Sequence, residues 1–142
     1  MFRIFPLLLI SVIIYNFVAL AHGLASHDAM QAFLTRPSFD LHMFSGDIWS
    51  VTIGDLFILL SLGLLFFEII KATRTTRREL LNHGLSAITF VVALVEFIVM
   101  KGFSTSVFFF ITAMTAFDVV GGYTISIVAA EHDLGMGKAG TD

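Results

Sequence analysis

The stretch "VFFFITAMTAFDVVGGYTISIVA", residues Val107–Ala129, is an apolar run interrupted by a single acid, Asp118. A helix needs about 20 residues to cross the roughly 30 Å hydrocarbon core of a bilayer. Backbone groups inside lipid have to find their hydrogen-bond partners within the segment, so a run of this kind is helical. The stretch therefore predicts a transmembrane helix, and it raises the question of what an acid does inside one.

Three further apolar runs predict three more membrane spans, at Ile4–Leu24, Val51–Ile70 and Gly84–Met100. Charged residues make up 13% of the chain, about half of their share in a soluble domain. We therefore expect an all-α, polytopic membrane protein with four transmembrane helices in one bundle. The single domain would also comprise an outer interfacial loop with a short helix over residues 25–50, a cytoplasmic basic loop over 71–83 and a mobile tail over 130–142.

The first apolar run has a second interpretation. Arg3, the apolar stretch and the small residues Ala19–Ala21 together fit a cleaved secretory signal. The length of the run and the presence of Tyr15 and Asn16 within it favour a retained span instead. Cleavage would leave three spans and would not change the topology of the rest of the chain.

Basic residues predict the orientation of the spans. Six of the eight Lys and Arg residues fall on one side of the predicted membrane, namely Arg3, Lys138 and the loop residues Lys71, Arg74, Arg77 and Arg78. Positively charged loops stay in the cytoplasm, so we expect both termini there. The prediction is a multi-pass protein of the bacterial inner (plasma) membrane, with Trp49 anchored at the outer interface.

The outer loop contains a helix signal. In "SHDAMQAFL", Ser26 is a suitable N-cap, and Pro37 is expected to end the helix. Asp47 is expected to cap the second span, because a carboxylate suits a helix N-terminus. We expect the rest of the loop to lie in the headgroup region over the bundle. The alternative is a lid or a docking surface for a partner.

Asp118 lies near the middle of its run, where an ionised carboxylate facing lipid costs at least about 2.5–3.5 kcal/mol. We therefore expect its side chain to face protein or water. Thr115 and Gly122 share its side of the helix, and Gly121 lies close by. Small residues let another helix approach closely, so these three positions predict a helix-packing seam.

The expected polar partners of Asp118 are Asn16 and Tyr15, which lie near the middle of the first span. Glu96 and Asp55 are expected at a common depth nearer the outer surface, which would extend a polar ladder from Asp118 outward. Two interpretations stay open. The acids titrate and conduct protons or bind a cation, or a protonated Asp118 holds helices together by hydrogen bonds. For Glu68, a helix-end ion pair with Lys71 is expected.

Histidines are weak candidates for a metal or haem site. They form an outer group and a cytoplasmic group, which consist of His22, His27 and His42 and of His83 and His132. No metal-ligand spacing such as HxxxH connects them, so we predict neither a metal nor a cofactor. The chain has no cysteine, which excludes disulfides and thiolate chemistry. It also lacks nucleotide-binding and hydrolase motifs and a basic face for nucleic acid.

These observations favour a non-enzymatic accessory or assembly subunit of a membrane complex or homo-oligomer. Its partners would be the lipid bilayer and other membrane-protein subunits or a second copy of itself. One alternative is a component of a proton- or cation-coupled transporter or channel that uses Asp118, Glu96 and Asp55. A further alternative is a haem- or quinone-binding electron-transfer subunit that uses the histidines and Tyr15.

Overall fold

The computed structural model describes residues 5–21, 26–72 and 77–138. Within them, five helices and one two-stranded sheet follow one another along the chain. They are α1 (Leu8–Ala21), α2 (His27–Leu34), β1 (Pro37–His42), β2 (Ile48–Thr52), α3 (Ile53–Ala72), α4 (Arg77–Val99) and α5 (Ser106–Lys138). The predominantly helical fold expected from the apolar runs is confirmed.

Three helices are long and apolar enough to cross a membrane, through the segments Ile53–Ala72, Asn82–Val99 and Ser106–Ile125. Helix α1 is also apolar but has 14 residues, which gives about 21 Å at the usual helical rise. It therefore falls short of the length of a full span. The predicted first span was Ile4–Leu24, and both of its ends lie outside the described residues.

The helices present apolar residues outward and many polar residues inward. Helix α5 packs against both α3 and α4, and α1 contacts all three. Large side chains such as Leu59, Ile88 and Phe117 are more than 60% exposed, whereas Ser61 and Asp118 are buried. A soluble protein has the opposite distribution, so the surface of the helices suits a lipid environment.

Two ends of the bundle have different interiors. One end carries the β-hairpin, and we call it the hairpin end. There the centre of the Tyr15 ring lies 5.7, 5.3 and 4.6 Å from the ring centres of Phe57, Phe103 and Phe108. Helix α2 covers this aromatic core with Met30 and Leu34, which are buried. At the opposite end, where α3 ends at Lys71 and Ala72, the interior contains charged and polar groups. We call this the Lys71 end.

The segment that was predicted as the outer loop contains a β-hairpin that the all-α prediction missed. The short helix is confirmed as α2, with the Ser26 hydroxyl accepting from the Ala29 N–H at 3.3 Å. After it, β1 and β2 pair in antiparallel register. The alternation of apolar and polar residues from Phe39 to Met43 suits a strand. Gly46 takes a φ of +93°, which lets the connecting turn close.

The expected start and cap of the second span were wrong. Val51 and Thr52 belong to β2, and α3 begins at Ile53. Thr52 and Asp55 form a capping box: the Thr52 N–H and hydroxyl donate to Asp55 Oδ2 at 2.8 Å each, and the Asp55 N–H donates to Thr52 Oγ1 at 3.2 Å. Asp47 lies in the hairpin turn instead, where its carboxylate accepts from the Ser45 hydroxyl at 3.0 Å.

Helices also extend into segments that were predicted as loop and tail. Helix α3 continues to Ala72 and α4 begins at Arg77, so much of the predicted basic loop 71–83 is helical. Arg74 lies outside the described residues, and the description of Arg77 and Arg78 is limited to the backbone. Helix α5 continues from the predicted end at Ala129 to Lys138. The last residues of the predicted tail, 139–142, lie outside the described part of the chain.

Candidate functional site

The most polar part of the interior is centred on Glu68, in the last turns of α3. Its side chain is 1% exposed. Glu68 Oε1 accepts from Lys71 Nζ at 2.7 Å and from Asn82 Nδ2 at 2.6 Å. Glu68 Oε2 accepts from the Leu7 N–H at 2.9 Å. The expected Glu68–Lys71 ion pair is therefore confirmed, but the carboxylate also connects α3 to α4 and to the residue that precedes α1.

Lys71 completes this network rather than extending into solvent. Its ammonium donates to the Phe5 carbonyl at 2.8 Å and to Asn82 Oδ1 at 3.1 Å, in addition to the Glu68 carboxylate. An ammonium has three N–H donors, and these contacts provide three acceptors. The residue that was predicted as part of the cytoplasmic basic loop is thus a partly buried cation that joins three segments of the chain.

Asp118 lies next to this network. Its carboxyl faces the Ser86 hydroxyl of α4 and lies within electrostatic range of Glu68 and Lys71. Both Asp118 and Ser86 are buried. The Ser86 hydroxyl does not reach full hydrogen-bond geometry with any partner among the described residues. We call the group of Glu68, Lys71, Asn82, Ser86 and Asp118 the Lys71 cluster.

The predicted helix-packing seam beside Asp118 includes two glycines, and another helix packs closely against one of them. A Cβ atom added to Gly122 would come within 2.5 Å of His83 Nδ1 and 2.6 Å of His83 Cε1. The imidazole of α4 therefore lies directly on the backbone of α5, and its ring centroid is 5.5 Å from that of Tyr123. At Gly121 an added Cβ would meet no atom within 4 Å. The close approach of α4 and α5 needs glycine at position 122 and not at 121.

The expected polar ladder is divided between separate sites. Asn16 Nδ2 donates to Glu96 Oε2 at 2.9 Å, nearer the hairpin end than Asp118. The Tyr15 hydroxyl lies 2.7 Å from Thr105 Oγ1 and 3.3 Å from the Gly102 carbonyl, in the turn that precedes α5. Neither Asn16 nor Tyr15 provides the contact with Asp118 that was expected. The reason is depth: both belong to the half of α1 that lies towards the hairpin end.

Asp55 does not belong to the predicted polar ladder, because its carboxylate takes part in the capping box of α3. Its carboxylate accepts from Thr52, at the first turn of α3, rather than facing Glu96. Thr115, the third predicted seam residue, is buried, and its hydroxyl donates to the Thr112 carbonyl at 2.7 Å. In the middle of the bundle, the Ser61 hydroxyl lies 2.9 Å from Ser11 Oγ, a contact that joins α3 to α1.

The histidines do not form a common site in the described part of the chain. Among the described residues, no group of three or more His, Asp or Glu side chains is placed to hold a metal ion. His27 Nδ1 lies 3.5 Å from the Ser104 hydroxyl, and His42 lies on the exposed strand β1. His83 packs on Gly122. His22 lies outside the described residues, and the side chain of His132 is not described.

Sequence reasoning missed Asn82 and Ser86 and underestimated Glu68. A signal for them existed in the spacing of Asn82, Ser86, Thr89, Ala93 and Glu96, which alternates steps of three and four residues. Four of these five residues are buried, and Glu96 is partly buried. They form a largely polar stripe on an otherwise apolar helix, which indicates that α4 presents this face to the bundle.

Comparison with known proteins does not identify the cluster. No protein family, no curated protein and no solved structure matches this chain. The arrangement itself consists of two carboxyl groups, one ammonium, one amide and one hydroxyl in an apolar surrounding. Such a set of groups can hold helices together, and it can also bind and release a proton.

Proposed function

We propose that this chain is a non-enzymatic accessory or assembly subunit of a membrane complex or homo-oligomer. The observation that carries the proposal is the bonding of the Glu68–Lys71 pair. Its donors and acceptors are used by Asn82 and by the backbone at Leu7 and Phe5. A charged pair whose groups are consumed in this way joins helices and has little capacity to bind a substrate.

Other interior polar groups support the same role. The hydroxyls of Ser61, Thr89 and Thr112 donate to the carbonyls four residues earlier in their own helices. Ser61 and Tyr15 additionally contact polar groups of neighbouring segments. These bonds satisfy the hydroxyls within the protein, partly inside their own helices and partly between helices, which supports a scaffold role.

We include α1 as the fourth helix of the membrane bundle. The Leu7 N–H, just before α1, bonds Glu68 at the Lys71 end. Tyr15 bonds the turn between α4 and α5 at the hairpin end. Helix α1 and the residues just before it therefore lie alongside most of the length of the membrane-type segments of α3 and α5. In the proposed orientation the Lys71 end faces the cytoplasm of a bacterial inner membrane, as the basic residues indicate.

The partner would be another membrane helix, from a second subunit or a second copy. A shallow apolar groove on the outer face of α3 surrounds Gly63 and is lined by Leu56, Leu59, Leu60, Leu64 and Phe67. A Cβ at Gly63 would meet no atom of this chain within 4 Å. A small residue in an apolar groove allows close approach of a partner helix.

The test compares Gly63→Leu with Gly121→Leu, because an added Cβ at either position meets no atom of this chain within 4 Å. Native mass spectrometry of particles extracted directly from the membrane should show a complex larger than the monomer. The Gly63→Leu change should weaken the association constant about tenfold, which corresponds to about 1.4 kcal/mol, and Gly121→Leu should not. A wild-type chain that is monomeric in native particles would overturn the proposal.

A second candidate function rests on a different observation. The Asp118 carboxyl faces a buried Ser86 hydroxyl that has no full hydrogen bond, beside a second acid and a lysine. Such a group is suited to take up and release a proton, in a component of a proton- or cation-coupled transporter.

Proteoliposomes with an entrapped pH-sensitive dye test this second function. If the chain conducts protons, Asp118→Asn should abolish the flux while the fold is retained, because the amide cannot ionise. Glu96→Gln is the matched control, since Glu96 bonds Asn16 at a distance from the Lys71 cluster. Proton flux that persists in Asp118→Asn would rule out this second function. A wild-type chain without proton flux would rule it out as well, and only the scaffold role would then remain.

A further inference from the structure

The β-hairpin has one apolar face. In its register, Phe39 pairs with Val51 and Leu41 pairs with Trp49. Because paired residues of antiparallel strands point to the same side, these four side chains share one face. The other face carries Asp40 paired with Ser50 and His42 paired with Ile48. On this face Asp40, His42 and Ser50 are polar and Ile48 is apolar, and the Ser50 hydroxyl donates to Asp40 Oδ1 at 2.6 Å.

The apolar face is continuous with the outer surface of α3. Trp49 and Val51 line a second shallow groove together with Asp55, Ile58 and Leu62 of that helix. This second groove shares Leu56 and Leu59 with the groove around Gly63. Strand β2 ends at Thr52 and α3 begins at Ile53, so no linker separates the two surfaces. Phe44 in the hairpin turn is fully exposed. An exposed apolar surface of this kind requires an occupant.

We infer that the occupant is the headgroup region of the lipid bilayer, and that the hairpin lies on the membrane with its Phe39, Leu41 and Trp49 face inserted. The inference goes beyond the proposed function, since it requires only that α3 crosses the bilayer. In that case lipid covers the surface of α3 outside the Gly63 groove, including Ile58 and Leu62, and the hairpin face extends that surface. Indole is the side chain most favoured at this depth.

The experiment uses the fact that Trp49 is the only tryptophan in the chain. The purified full chain is reconstituted into phosphatidylcholine nanodiscs, and its fluorescence is quenched by nitroxide lipids or by aqueous iodide. Lipids labelled near the headgroup should quench Trp49 more strongly than lipids labelled at the acyl-chain end. Iodide should quench it about fivefold less than it quenches a free tryptophan derivative, as for an interfacial indole.

Two matched variants test which face is inserted. Leu41 is 41% exposed and lies on the apolar face, whereas Ile48 is 59% exposed and lies on the other face. Leu41→Ser should about double the quenching by iodide, and Ile48→Ser should leave it unchanged. Equal effects of both variants, or Trp49 that is open to iodide and insensitive to every nitroxide lipid, would overturn the inference. The second outcome would indicate a protein partner as the natural occupant.

Discussion

Replacing Glu68 with leucine is expected to destabilise the protein by about 3 kcal/mol, the low end of the range for breaking a buried ion pair. The change removes the acceptor used by Lys71, Asn82 and the Leu7 N–H together. It leaves the Lys71 ammonium, the Asn82 amide and the Leu7 N–H without that acceptor, and the cost arises mainly from the loss of these bonds. Reversible unfolding in detergent or lipid, followed by circular dichroism, measures the difference.

Two controls distinguish the effect of breaking the Glu68–Lys71 pair from the general effect of replacing a carboxylate side chain. Glu96→Leu makes the same substitution at a carboxylate that bonds Asn16, and it should cost about 1 kcal/mol, as for one hydrogen bond. The double variant Glu68→Leu, Lys71→Met removes both charges, so it should recover a large part of the stability lost in Glu68→Leu. A double variant that is less stable than Glu68→Leu would contradict the account.

Replacing Gly122 with alanine is expected to destabilise the protein by about 1–3 kcal/mol, as overpacking does in a well-packed interior. The added methyl group would overlap the His83 ring, with 2.5 Å between the Cβ and Nδ1. His83 is 1% exposed, so its ring has little space to retreat. Helices α4 and α5 therefore have to separate, and the contact between Asp118 and Ser86 should weaken with them.

Gly121→Ala is the matched control for Gly122→Ala, since the added Cβ meets no atom within 4 Å. Alanine is the better helix former, by up to about 1 kcal/mol, so this variant should be as stable as the wild type or slightly more stable. Thermal unfolding of the two variants under identical conditions makes the comparison. Equal destabilisation by both changes would show that His83 does not limit the space at position 122.

The membrane-type helices could be predicted from the sequence because their apolar runs extend for about the width of a bilayer. Helix α2 could also be predicted from the sequence, because Ser26 is a suitable N-cap and the apolar residues after it have helical spacing. The hairpin was missed although its signals were present. Phe39, Leu41 and Met43 alternate with polar residues, and Gly46 marks a turn. Because we expected a loop lying on the membrane, we did not interpret this alternation of apolar and polar residues as a strand.

The composition of the Lys71 cluster could not be derived from the sequence. A glutamate three residues before a lysine at a helix end has a sufficient local explanation, and nothing local indicates that Glu68 is buried and Lys71 partly buried. Their burial depends on Asn82 and on the segment before α1, which are separated from Glu68 along the chain. Asp118 was recognised as interior from its cost in lipid, but its neighbours depend on helix order.

The most direct test of the account is whether the Glu68–Lys71 pair exists inside the folded protein in a bilayer. Solid-state NMR of the labelled chain in lipid can detect the dipolar coupling between Lys71 Nζ and Glu68 Cδ, and Lys71→Met assigns the signal. With Nζ and Oε1 2.7 Å apart, we predict strong dephasing that disappears in Glu68→Leu, which has no carboxyl carbon. A Lys71 signal without this coupling would contradict the account.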